Sequence, residues 1–247
     1  SNIGLKQSNG DHKQLNTSLL QIENEFYSTI RPKRTSQSGE TALNALADRG
    51  VEYIEVRCVD LNPYEPLGIN EEQIRFLDTF LMYCLYKESP DTDKQEFHNI
   101  LDNQTLIVSK GRDPELKLLC GDGERDMKQW ASEILNEMGA TADLLDQAYG
   151  SKAHTESLAV QKTKLENPDL TPSARILADM KAQDVTFYRL AMNLSLAHKA
   201  HFTETPLNPE KTRAFEEFAK VSHAQQQEIE AREEEDFDSF LASYYKQ

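Results

Sequence analysis

Residues 19–34 read LLQIENEFYSTIRPKR and residues 51–57 read VEYIEVR, and the fold class turns on whether these two runs are strands. Both alternate. On a pleated strand successive side chains take opposite faces. Gln21, Glu23, Glu25 and Tyr27 would then point one way and Leu20, Ile22, Asn24 and Phe26 the other. In the second run Val51, Tyr53, Glu55 and Arg57 share a side, while Ile54, Val56 and Cys58 form an apolar side suited to packing on helices. If the two runs join in one sheet, Glu23, Glu25, Tyr27, Glu55 and Arg57 converge on a single polar surface.

Such a surface suits Mg²⁺ and phosphate. Mg²⁺ takes oxygen ligands and commonly shares one or two carboxylates with substrate phosphates. A guanidinium beside it grips phosphoryl oxygens in two places and stays cationic at any working pH. Glu55 and Arg57, two apart on one face, therefore read as a metal ligand next to a phosphate ligand. The bland alternative is a strand salt bridge, worth little, and on pattern alone that is the commoner outcome. Glu23 and Glu25 are further metal candidates on facing and charge only. Arg31, Lys33 and Arg34 form a basic exception in an acidic chain, with Pro32 fixing the backbone between the first two; Arg31 and Lys33 are candidates for nucleotide phosphates.

The runs LLQIENEFY, IRPKR, SGET, VEYIEVRCVDLNPYEPLGI and RFLDTFL, with NPDLTPSARIL further on, resemble the bacterial glutamate–cysteine ligase family. The resemblance covers nearly the whole chain but only the C-terminal part, roughly half, of such an enzyme. It implies that the strands complete a larger antiparallel sheet of the glutamine-synthetase-like carboxylate–amine ligase type. It implies ligation of the L-glutamate γ-carboxylate to the L-cysteine amine, using ATP and Mg²⁺, through γ-glutamyl phosphate, in the first step of glutathione biosynthesis. Position by position, Glu55 matches a family metal ligand, Arg57 a residue on the transferred phosphoryl group, and Tyr27 a tyrosine lining the cysteine pocket. The N-terminal half, with most of the metal-binding carboxylates, would be missing, so the isolated chain is expected to be inactive. From a different class, a non-catalytic helical scaffold or interaction domain of ligase ancestry is the alternative. A ligase part should expose strand edges and apolar surface, whereas an independent module should cover them.

Composition agrees with a cytoplasmic piece. A net charge of −15 argues against nucleic acid or an anionic membrane as partner. No apolar run approaches a membrane span and no secretory signal opens the sequence. Cys58, Cys84 and Cys120 are three, widely spaced, which suggests free thiols in a reducing compartment.

Asn9-Gly10 signals a turn between two short strands, and Ser38-Gly39 another turn before a short helix from Thr41 to Ala47. Asp60 and Asn62, in a proline-rich loop, are either outer ligands or turn residues, the latter being the safer expectation. Asn70 caps a helix to Lys87 whose face of Ile74, Leu77, Leu81, Cys84 and Leu85 would cover the sheet. Thr105 to Val108 is either strand or helix. Gly121-Asp122-Gly123 lacks the lysine of a phosphate loop and reads as a loop before a helix. From Glu124 on the chain is helical, with Met127, Trp130, Ile134, Leu135 and Met138 in one stripe and a break at Gly150. Thr171-Pro172 opens a helix with a buried stripe of Ile176, Leu177, Met180, Phe187, Leu190, Ala191 and Leu194. Arg175 is either functional or solvated, and His198 and His201, i to i+3, read as surface residues more readily than as metal ligands. A solvated helical arm from Pro209 to Glu235 leads to an amphipathic end, Phe237 to Tyr245, expected to dock back onto the bundle. The fold class is α+β, with a few mostly antiparallel N-terminal strands followed by a predominantly helical remainder. A strand-rich segment over residues 1–70 and a helical segment over residues 71–247 would form one structural unit.

Overall fold

A computed structural model describes residues 12–37, 39–232 and 236–246; the Asn9-Gly10 turn and Ser38 lie outside them, as do residues 233–235 at the end of the expected arm. In chain order the elements are β1 (Ile30–Lys33), α1 (Ala42–Arg49), β2 (Tyr53–Val56), α2 (Glu71–Tyr86), α3 (Lys94–Lys110), β3 (Lys117–Cys120), β4 (Gly123–Asp126), α4 (Met127–Glu137), α5 (Gly139–Tyr149), α6 (Ala153–Glu166), α7 (Pro172–Gln183), α8 (Phe187–Glu204), α9 (Pro209–Glu230) and α10 (Phe237–Tyr244). The α+β reading holds: a few antiparallel strands stand among many helices. The chain divides into two compact units, residues 1–60 with 206–247, and residues 61–205.

In the first unit β1 and β2 pair antiparallel, with Arg31 opposite Glu55 and Lys33 opposite Tyr53. The two runs do lie in one sheet, but the ladder is shorter than the alternation suggests. Residues 20–27 are not strand, and Glu23–Glu25 form a 3₁₀ turn. The cause is competition from side chains, which offer the backbone an alternative to a ladder. Glu23 Oε1 accepts the Leu43 N–H at 3.2 Å, and Glu25 Oε2 accepts the Gln21 N–H at 3.0 Å. Thr41 caps α1 by accepting from the Asn44 N–H. α10 docks on residues 12–21 of its own unit, where the expectation was the helical bundle. Asp238 Oδ1 lies 2.6 Å from His12 Nε2, and the Tyr245 hydroxyl donates to the Gln21 carbonyl at 2.9 Å. α9 is solvated as expected, with no buried residue.

The second unit has a core of Leu135, Met138, Ala142 and Leu158, against which Phe76, Phe80 and Tyr83 of α2 pack. Leu135 and Met138 thus meet the expected stripe. α2 begins as predicted, with Asn70 and Gln73 in a reciprocal capping box, yet it buries a different face. Aromatic residues at 76, 80 and 83 turn inward onto the bundle, whereas Ile74, Cys84 and Leu85 are exposed. The helix is apolar on two sides, and its partners are α5 and α6 where the sheet was expected. Residues 105–108 belong to α3.

Gly121-Asp122 is the two-residue turn of a β3–β4 hairpin, with Cys120 opposite Gly123 and Gly121 at φ 58°, a conformation that glycine adopts without penalty. Thr171 caps α7 as predicted, but the expected single helix ends at Asp184, which is left-handed (φ 52°), and Thr186 caps a new helix. Leu190 is buried, whereas Leu177 and Phe187 are exposed. A buried polar cluster joins α5 to α6, in which His154 Nε2 has no hydrogen-bond partner among the described residues. Asp146 accepts from the backbone N–H groups of His154 and Thr155, the Thr155 hydroxyl and His154 Nδ1, all within 3.0 Å. Burial raises the Asp146 pKa, but these donors outweigh it and leave the carboxyl well below its ordinary range.

Candidate functional site

The ladder register gives the polar surface its members. Arg31, Lys33, Tyr53 and Glu55 lie on one face of the two strands, and Arg57 continues it one step beyond β2, its N–H donating to the Thr29 carbonyl at 2.7 Å. Arg31 and Lys33 therefore join Glu55 and Arg57 on one surface. The pairing across the loop decides this, and neither run shows it by itself.

Glu55 and Arg57 form an ion pair with one hydrogen bond, from Arg57 Nε to Glu55 Oε1 at 2.7 Å. Glu55 Oε2 is buried and has no hydrogen-bond partner among the described residues. Lys33 Nζ stands 3.4 Å from it, close enough to attract but not aligned as a hydrogen bond. The hydrogen bond from Arg57 and the two nearby cations outweigh partial desolvation and lower the Glu55 pKa, while Glu55 raises that of Arg57. Arg57 also lies 5.5 Å from the centre of the Tyr27 ring, a cation–π distance. Tyr27 itself is 64% exposed. Arg57 thus commits Nε alone, and its two terminal nitrogens have no hydrogen-bond partner among the described residues.

Beside this face opens a cleft of about 740 Å³, lined by Arg31, Lys33 and Arg34 together with Phe26, Leu43, Leu46 and Tyr53. Apolar walls with a few cations are what a phosphorylated, partly aromatic ligand requires. Glu23 lines the cleft too, but one of its oxygens is held by the first turn of α1. Glu25 is engaged by the Gln21 N–H. The structure thus gathers Tyr27, Arg31, Lys33, Glu55 and Arg57, and turns Glu23 and Glu25 to backbone amides. Among the described residues no group of three or more His, Cys, Asp or Glu is placed to hold a metal ion.

Other candidates resolve locally. Asn62 Oδ1 accepts the Tyr64 N–H at 3.1 Å, the expected turn role. His198 Nε2 lies 3.0 Å from the Pro63 carbonyl. Arg175 stacks 3.6 Å over the Tyr64 ring, and the Tyr64 hydroxyl donates to Asp179 at 2.6 Å; burial and that carboxylate push the Tyr64 pKa up to about 12.

The structure adds a second arginine–carboxylate pair that the sequence pattern does not single out. Arg49 Nη1 and Nη2 donate to the two oxygens of Glu40, each at 2.7 Å, and Nη2 also reaches the Thr35 carbonyl at 3.1 Å. With Glu52 accepting the Thr35 N–H at 2.9 Å, this clamp fixes the loop that carries Arg34. The available signal was SGET followed by Arg49 at the end of a capped helix.

A family model described as glutamate-cysteine ligase matches residues 1–107. Over 246 residues the chain is 46% identical to the glutamate–cysteine ligase of Saccharophagus degradans, a match covering 99% of this chain and 46% of that protein. Over 243 residues it is 46% identical to that of Pseudomonas savastanoi pv. phaseolicola, covering 98% of this chain and 45% of that protein. Among solved structures, the crystal structure of glutamate–cysteine ligase from Francisella tularensis in complex with AMP is similar with a TM-score of 0.86 at 33% identity. That match covers 98% of this chain and 48% of the other. The chain spans about half the length of the curated relatives it matches.

Proposed function

Since the chain belongs to the glutamate–cysteine ligase family, we propose that it supplies one part, the C-terminal one, of the active site of an ATP-dependent ligase. That enzyme joins the γ-carboxylate of L-glutamate to the amine of L-cysteine, in the cytoplasm, and the remaining half supplies the other strands and carboxylates. The observation that carries this reading is the half-used guanidinium of Arg57, whose Nε is held by Glu55 while its two terminal nitrogens are free among the described residues.

In the reaction a glutamate γ-carboxylate oxygen attacks the γ-phosphorus of ATP, and the bond to the bridging oxygen breaks to release ADP. The cysteine amine then attacks the acyl carbon of γ-glutamyl phosphate, and the carbon–oxygen bond breaks to release inorganic phosphate. Arg57 holds the transferred phosphoryl oxygens, where charge redistributes as the transition state forms. Glu55 holds Arg57 in place. Arg31 and Lys33, in the cleft beside it, bind the nucleotide phosphates, and Tyr27 lines the cysteine pocket.

Mg²⁺ fits this face through Glu55, whose Oε2 is a buried carboxylate oxygen without a hydrogen bond; water, phosphate and the other half of the enzyme would complete the ligands. Bound there it would offset phosphate charge. Glu23 and Glu25, held by amides, are left to the local backbone. Open strand edges and exposed apolar residues favour the ligase part over an independent scaffold.

Arg57→Lys in the full-length ligase tests the reading. Lysine keeps one charge but loses the planar fork, so kcat and kcat/KM should fall together by about a hundredfold, equivalent to about 3 kcal/mol, with melting temperature unchanged. Wild-type kinetics, or a defect confined to melting, would reduce Arg57 to a salt-bridge residue.

A further inference from the structure

The cleft beside β1 and β2 has a wall that belongs to no strand. Leu20, Glu23 and Phe26 line it, and Tyr27 follows directly. Within this wall the backbone closes only a 3₁₀ turn, the Glu25 N–H donating to the Ile22 carbonyl and the Phe26 N–H to the Glu23 carbonyl, each at 3.1 Å. A segment with so few backbone bonds of its own is free to open locally unless neighbours pin it.

Two helices pin it. α1 does so at Glu23, through the Leu43 N–H, and α10 does so at Gln21. The Tyr245 hydroxyl donates to the Gln21 carbonyl at 2.9 Å and accepts from Asn16 Nδ2 at 2.8 Å, and Asn16 Nδ2 donates to the same carbonyl at 2.8 Å. The Gln21 side chain ties the wall to the chain before it, its Oε1 accepting the Leu15 N–H at 2.7 Å and the Asn16 N–H at 3.1 Å. Tyr244 comes close enough to Glu23 that burial first, and then the Glu23 charge, raise its pKa. At the other end of α10, Asp238 Oδ1 meets His12 Nε2 at 2.6 Å, and the Phe237 ring stands edge-on to the His12 ring with centroids 5.2 Å apart. A helix of eight residues is too short to be stable by itself. α10 therefore exists by this docking, and both of its ends serve residues 12–25.

We propose that Tyr245 and Asp238 are positioning residues for the cleft: acting through Gln21 and His12, they let α10 hold the wall at residues 20–26 in the shape that closes on a nucleotide. This rests on the nucleotide reading of the cleft, and it adds that nucleotide affinity is set in part from α10. Arg57 takes its own position from Glu55 and the Thr29 carbonyl. Loss of the α10 contacts should therefore separate binding from chemistry.

The full-length ligase carrying Tyr245→Phe together with Asp238→Ala tests this by two readouts. The calorimetric Kd and the KM for ATP should both rise about fivefold, the net worth of roughly one hydrogen bond, with kcat within about twofold of wild type. Amide exchange at Gln21 and Leu43, whose N–H groups are held by Glu25 and Glu23, should quicken by at least about threefold. Asp238→Asn in place of Asp238→Ala keeps an acceptor oxygen for His12 and should recover most of the affinity lost at that end. Unchanged exchange, or faster exchange with wild-type ATP affinity, would overturn the proposal. Arg31→Ala separates it from the reading beneath it. ATP affinity that falls with Arg31→Ala but not with the α10 variant would sink the role of α10 alone. Affinity indifferent to Arg31→Ala would refute the nucleotide reading of the cleft, and exchange at Gln21 and Leu43 would then decide by itself whether α10 holds the wall.

Discussion

Glu40–Arg49 and Glu55–Arg57 are the same two residue types, in one unit, with arginine side chains of similar exposure, 30% and 35%, yet they are built for different work. In the first, both oxygens and both terminal nitrogens are used, and a backbone carbonyl and the Gln37 N–H complete the set. In the second, one arginine nitrogen meets one oxygen, and the other oxygen has the Lys33 ammonium at 3.4 Å. The rest faces a cationic neighbourhood: Arg31, Lys33 and Arg57 share the sheet face with Glu55 as the one carboxylate among its strand residues. A closed pair fixes a loop. On the reading proposed above, the open pair with its surplus positive charge receives an anion.

The largest expected effect separates the two pairs by completeness. The isolated chain should form the Glu40 clamp and fold, yet produce no γ-glutamylcysteine from ATP, glutamate and cysteine, because on the proposed reading the other half supplies carboxylates that the sheet face needs. Circular dichroism alongside a product assay reads both. ATP turnover dependent on both amino acids would show that the chain's own face is sufficient.

Next in size is Glu55→Gln in the full-length ligase. It preserves shape but removes the charge, so kcat should fall by about a hundredfold and stay low at saturating Mg²⁺, while Glu40→Gln leaves kcat within about twofold. Equal kinetics for the two variants would erase the distinction between them. A third carboxylate extends the closed end of the scale. Asp146, buried under its donors, should cost about 3 kcal/mol as Asp146→Asn, read from the urea midpoint, because buried N–H and O–H groups lose their charged acceptor.

What the sequence made legible follows interaction range. Helix starts at Asn70 and Thr171 are written within four residues, and they stand where caps predicted. Glu55 and Arg57 are two apart on one strand, so their facing was readable. The failures required knowledge of distant partners. Residues 20–27 alternate like a strand, but Glu23 finds an amide twenty residues away. α2 carries two apolar sides, and only the bundle decides which is buried. Arg31 and Lys33 join the site face through a register fixed across a loop. The β3–β4 hairpin differs from the expected loop for another reason: Gly121-Asp122 lacks the lysine of a phosphate loop, but a glycine-first pair between strand-like runs is itself a hairpin signal.

The smallest effect is the sharpest test of the closed pair. The Arg49 fork and the Gln37 N–H hold the Glu40 pKa at about 2, against an ordinary 4.5. A carboxyl with a folded pKa below its unfolded one contributes stability that is fully present above the unfolded value and lost as the pH falls through the folded one. The Glu40 contribution should therefore be intact above pH 4.5 and disappear toward about 2. Glu40→Gln cannot titrate. Wild type and variant should differ modestly in melting temperature near neutrality, since a partly exposed pair is screened by solvent and salt, and the two should converge as the pH approaches 2. Arg49→Lys should show a similar convergence, because a lysine cannot satisfy both oxygens as the fork does. A gap in melting temperature that stays constant across that range would mean that Glu40 acts through its shape in the loop, and that the contrast with Glu55 does not lie in how each carboxylate is held.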